Sequence, residues 1–70
     1  MTNSRLNAIR VEAARLAVTD IHLNQAGWRT DGDIVSCLAD QMHDALTEEE
    51  ADFGIETYDS ILEICEISRV

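Results

Sequence analysis

Apolar residues recur at helical spacing along nearly the whole chain. Projected at about 100° per residue, Leu6, Ile9, Ala13, Leu16 and Leu23 form one seam, and Val11, Ala14, Val18 and Ile21 form a second. Glu12, Arg15, Thr19 and His22 make up the polar face between them. The two seams cover roughly two thirds of the circumference, where a surface helix uses an apolar stripe of about 100°. The spacing predicts a first helix from Ser4 to Ala26, with Ser4 as N-cap. Gly27 is placed to end it in a left-handed conformation, and Trp28 to supply the apolar contact of that cap.

Two further helices announce themselves by their starts. In Thr30-Asp31-Gly32-Asp33 a threonine precedes a carboxylate by three residues, which is the capping-box pattern. The helix it opens runs to about Leu46, apolar along Ile34, Val35, Leu38, Met42, Ala45 and Leu46 and polar along Ser36, Asp40, His43 and Asp44. Thr47-Glu48-Glu49-Glu50 repeats the pattern, with three carboxylates at the positive end of the helix dipole. The helix after it reaches about Ser68, with an inner seam of Ala51, Gly54, Ile55, Tyr58, Ile61, Leu62 and Cys65. Only Thr47 separates these two helices, so they form either two arms of a hairpin or one bent rod. The expected fold is a single all-α domain over residues 1–70, of three helices or of two with the second bent.

Seventy residues bury only about 60% of their unfolded surface, so a chain of this size is marginally stable alone. The double seam of the first helix exceeds what two shorter partners cover. It predicts a homodimer through Leu6, Ile9, Ala13, Leu16, Asp20 and Leu23. Asp20 is the odd member, a carboxylate at the centre of an apolar arc. An unpaired buried charge is expensive. Either Arg10 of another chain pairs with it, or the helix projects into solvent there. A polar group in such a seam also fixes register in helix dimers.

Charge sharpens the picture. Between Thr30 and Ser68 there is no Lys or Arg, but there are twelve carboxylates; the whole chain has five arginines, no lysine and a net charge of −9. Such a field repels nucleic acid and anionic membrane and attracts basic protein surfaces. Glu49, Asp52, Glu56, Asp59 and Glu63 lie along one face of the third helix, about 5–6 Å between neighbours. A charge run of this kind also serves plain solubility. Beside it, Phe53, Ile64 and Ile67 form a short apolar strip with Ser60 among them. Apolar area rimmed by charge marks a contact patch. These eight residues are the candidate partner-binding set.

Other chemistry finds little support. Cys37, Cys65, His22 and His43 show no paired-ligand spacing, and Asp31-Gly32-Asp33 departs from a calcium loop, so no metal or cofactor is expected. No nucleophile elbow or phosphate loop occurs, so no catalytic residue is assigned and the chain is not read as an enzyme. Arg5, Arg10 and Arg15 spiral around the first helix and make no basic stripe for DNA. Two cysteines are too few for a disulfide framework, and the start Met1-Thr2-Asn3-Ser4-Arg5 does not read as a signal peptide. A cytoplasmic protein with reduced thiols is expected.

In size, acidity and helical content the chain is similar to small phage-encoded inhibitors, such as anti-CRISPR proteins and anti-activators of transcription factors. That likeness of general character, shared with no specific motif, implies a protein that acts by binding and blocking another, in a host cytoplasm. The expected function is therefore inhibition or modulation of a protein with a basic surface, most naturally one that binds nucleic acid. The rival expectations are a structural or assembly subunit and an antitoxin-like partner of a basic toxin.

Overall fold

The computed structural model describes residues 3–69; Met1 and Thr2, part of the chain start considered above, lie outside them. Three helices follow in order: α1 over Asn3–His22, α2 over Asp31–Met42 and α3 over Glu48–Ile64, with one 3₁₀ turn, Ala26–Trp28, before α2. No strand occurs among the described residues, and α2 and α3 are separate helices.

Both capping boxes form. Thr30 Oγ1 accepts from the Asp33 N–H at 3.2 Å while Asp33 accepts from the Thr30 N–H. Thr47 and Glu50 repeat the exchange. Each box satisfies donors that a helix start leaves without intrahelical partners. The helix ends fall earlier than the apolar spacing predicts. α1 stops at His22, four residues short of Ala26; α2 stops at Met42 instead of Leu46; α3 stops at Ile64 instead of Ser68. Each end is a Schellman turn closed on a residue other than glycine. Asn24, His43 and Glu66 take φ of 60°, 56° and 57°. The next N–H reaches back to Asp20 O at 2.7 Å, Ala39 O at 3.2 Å and Leu62 O at 3.0 Å respectively. Gly27 is therefore not a helix cap. Trp28 supplies no apolar cap contact either and is 75% exposed. Gly27 instead lets the C-terminal segment pass close by: a Cβ there would lie 3.1 Å from the Ser68 carbonyl oxygen.

α1 and α3 run parallel. Arg5 meets Glu50 near their starts, Ile9 lies against Gly54 one turn on, and Asp20 meets Tyr58 toward the far end. α2 returns antiparallel between the two ends. The core is Ile9, Ala13, Ala17, Ala26, Ile34, Leu38, Tyr58 and Leu62. The predicted inner seams account for most of it. Cys65 departs from its seam, because the helix ends just before it, and is exposed. Ile67 folds back onto the core through the last Schellman turn.

The radius of gyration, 11.2 Å, matches the roughly 11 Å of a compact chain of this length. One copy therefore closes a core by itself, and Ile9, Ala13 and Asp20 are buried inside it. Those three predicted dimer residues face α2 and α3 of their own chain, where no second copy reaches them. Leu6 and Leu16 are half-buried and Leu23 is exposed.

Gly54 sits at the tightest point of this packing. A Cβ added there would overlap Leu38 Cδ1, the end of a fully buried side chain, so the core around Leu38 would have to shift. Alanine gains about 1 kcal/mol of helix propensity over glycine, whereas overpacking costs about 1–3 kcal/mol. Gly54→Ala should therefore destabilise the fold on balance, and Gly54→Leu more so, as read by the urea midpoint. A midpoint raised by Gly54→Ala would contradict the close crossing.

Candidate protein-binding surface

The arginines decide which surface remains charged. Asp20, only 1% exposed, receives two hydrogen bonds from the Arg29 guanidinium and a third from the Tyr58 hydroxyl at 2.6 Å. Arg29 also donates to Cys37 Sγ at 3.1 Å, and the Tyr58 oxygen lies 3.3 Å from the Ala26 carbonyl. One buried cluster thus joins all three helices. The partner of Asp20 is Arg29 of the same chain, which corrects both expectations, Arg10 of another chain and a solvated carboxylate. The reason is the early stop of α1: the chain turns back at Asn24 and carries Arg29 over the last turn of the helix.

At the opposite end Arg5 binds Glu50, 2% exposed, and also reaches Asp44 and the Ala45 carbonyl. Arg69 closes the third junction, gripping Asp59 at 2.7 and 3.0 Å and bonding Asp31 and the Arg29 carbonyl. Arg15 lies 3.6 Å from Glu12 on α1, and Arg10 lies over the Phe53 ring, 5.8 Å from its centroid. Every arginine thus has a contact inside the chain. No buried side-chain nitrogen or oxygen among the described residues lacks a hydrogen-bond partner.

What remains on the outer side of α3 is a one-signed surface. Glu49, Asp52, Glu56 and Glu63 are exposed along the outer face of α3, with no ion pair among the described residues. Glu48, Glu66 and Asp40 add to the same field. Asp59, predicted as part of the stripe, is held by Arg69 and interrupts it. The apolar strip divides as well: Phe53 is half-buried under Arg10, Ile67 packs on the core, and Ile64 stays 78% exposed. The sequence reading missed Glu50, Arg29 and Arg69 as structural charges. The N3 position of Glu50 in a capping box was visible, but its burial beneath Arg5 was not.

Between α1 and α2 lies an open cleft of about 380 Å³, lined by Leu16, Thr19, Arg29, Cys37 and Gln41 among others. Glu12 and Asp40 also line it, opposing Arg15 and Arg29, so it carries no clear charge preference. No group of three His, Cys, Asp or Glu gathers in metal-binding geometry, and no helix is long and apolar enough to cross a membrane, among the described residues. No known protein family, curated protein or solved structure matches the chain.

The buried junctions set opposite pH limits. The hydrogen bond from Arg5, aided by the Thr47 N–H, holds the Glu50 carboxyl below its ordinary 4.5. A depressed pKa contributes stability that is present above the unfolded value and lost as pH falls through the folded one. Glu50→Gln should lower stability at neutral pH and flatten its decline below about pH 4.5, followed by urea midpoint against pH. An unchanged acid profile would remove Glu50 from the balance.

Burial, and then the hydrogen bond to Asp20, push the Tyr58 hydroxyl well above its ordinary 10.0. A raised pKa contributes stability that is lost on the alkaline side. Tyr58 is the only tyrosine. Tyrosinate absorbance should therefore be nearly absent at pH 10 and should appear only as helicity collapses at higher pH. A half-ionised tyrosine at pH 10 in a fully helical chain would refute the buried cluster.

Proposed function

We propose that this protein acts by binding, through the acidic outer face of α3, a protein partner with a basic surface, and so blocks or modulates that partner without chemistry of its own. The observation that carries the reading is the disposition of the arginines. All five have contacts within the chain, so they do little to offset the exposed carboxylates at Glu49, Asp52, Glu56 and Glu63. Like charges three and four residues apart cost helix stability, and no basic neighbour on α3 relieves them. A basic surface would relieve them on contact. Nucleic-acid-binding proteins offer grooves of that sign, and occupying such a groove inhibits them.

The partner should be captured from lysate by the tagged protein and released as salt rises, because exposed charges act over about 10 Å at 0.1 M. Asp52, Glu56 and Glu63 are the residues to reverse; Asp59 is left intact because Arg69 depends on it. The triple lysine variant should keep its helicity by circular dichroism and lose capture of the basic protein. Capture as efficient as that of the wild type would assign the stripe to solubility alone.

A further inference from the structure

α1 and α3 each carry a second apolar strip that the chain covers only in part: Val11, Val18 and Ile64 are exposed, while Ala14, Ile21 and Phe53 are half-buried. On α1 it is Val11, Ala14, Val18 and Ile21; on α3 it is Phe53 and Ile64. Val11 is 44% exposed and Val18 57%. The parallel packing sets the two strips side by side on the face turned away from α2. Arg10 over Phe53 marks the seam between them, and a groove of about 450 Å³ lined by Leu6, Asn7, Arg10 and Phe53 opens at its lower end. The register of Ile9 against Gly54, carried up the two helices at equal rise, sets Arg15 level with Ser60 and Ile21 just past Ile64, at the end of α3.

The rims of this face differ in sign. Beyond the α1 strip lies Arg15, at the edge between this face and the cleft toward α2; its side chain is 71% exposed and only loosely paired to Glu12. Beyond the α3 strip lie Glu56 and Glu63, both exposed. We propose that this face is where two copies of the chain meet, about a two-fold axis parallel to the helices. Such an axis lays α1 of each copy across α3 of the other and preserves height along the helices. With the register above, Arg15 then falls between Glu56 and Glu63 of the second copy. A two-fold axis across the helices would instead stack acidic rim on acidic rim, which like-charge repulsion disfavours. A closed two-fold pairing is also the commonest self-association.

The molecule is 31 Å long and 17–19 Å wide. The face it offers is roughly 500–600 Å², short of the about 800 Å² per partner of a standard interface. The dimer is therefore reversible and concentration-dependent. This inference goes beyond the acidic-face reading and does not rest on it. It is tested on the purified chain with no partner present, so its failure leaves partner capture standing.

Sedimentation velocity across a concentration series should show a monomer–dimer equilibrium. Val18→Glu, at a position the fold leaves exposed, should give a monomer of unchanged helicity. Arg15→Glu alone, and Glu56→Arg with Glu63→Arg, should each weaken association by about ten-fold. Combining all three substitutions should restore it. A wild type monomeric throughout the series would overturn the proposal. So would a dimer indifferent to Val18→Glu, or failure of the combined variant to recover.

Discussion

The fold turns on a carboxylate that has been taken out of water. Asp20 lies where α1 meets the return of the chain. Burying it is tolerable only because Arg29 and Tyr58 direct three hydrogen bonds at it. Removing one member of such a cluster leaves the others buried and uncompensated, typically at about 3–5 kcal/mol. For a 70-residue chain that is a large share of the whole stability. The cluster also acts as a register pin. It can close only if α1 ends at His22, if the 3₁₀ turn brings Arg29 back, and if α3 places Tyr58 where its hydroxyl reaches Asp20. An apolar contact at this junction would tolerate sliding; a bidentate guanidinium does not.

The same device recurs at the other junctions. Arg5 ties the start of α1 to Glu50 and Asp44, and Arg69 ties the C-terminal segment to Asp59 and Asp31. In a strongly acidic chain Arg5, Arg29 and Arg69 each relieve intrachain repulsion where two elements meet. Their planar, multi-donor guanidinium groups suit that task better than lysine ammonium groups, and the chain contains no lysine. The outer face of α3 is acidic because it carries no cation of its own and three of the five arginines are held in junctions. The proposed binding of a basic partner follows from that division of charge between junction and surface.

The uncovered faces follow from size. Three short helices cannot enclose all the apolar surface of a 20-residue α1, so the outer strip of α1 and the edge of α3 stay half-wet. The sequence showed that α1 had more apolar surface than needed but put the wrong seam on the outside. Ile9, Ala13 and Asp20 turn inward to α2 and α3, and Val11 and Val18 turn outward. The amphipathic pattern alone does not choose between two seams of similar strength. The choice is made by the closure of the core around Ile9 and Ala13, with Gly54 making room for Leu38, and by Arg29, which draws Asp20 inward.

The starts of α2 and α3 were legible in the linear chain because a capping box is a local exchange of two hydrogen bonds between residues three apart; Ser4, expected as the N-cap of α1, lies inside that helix. The all-helical class and the inner seams of α2 and α3 were legible for the same reason, since helical period is a local property. The ends were not. Asn24, His43 and Glu66 occupy left-handed positions where glycine is the usual signal, and only the closing bond to a residue five positions earlier selects them. The partner of Asp20 and the interruption of the acidic stripe at Asp59 were also beyond the sequence. Each depends on a guanidinium that reaches its carboxylate only after the chain has turned back. Local hydrogen bonding and periodicity were thus written in the order of the residues. Which charge lies buried, which seam faces out and which carboxylates stay exposed were decided by long-range closure of the three helices.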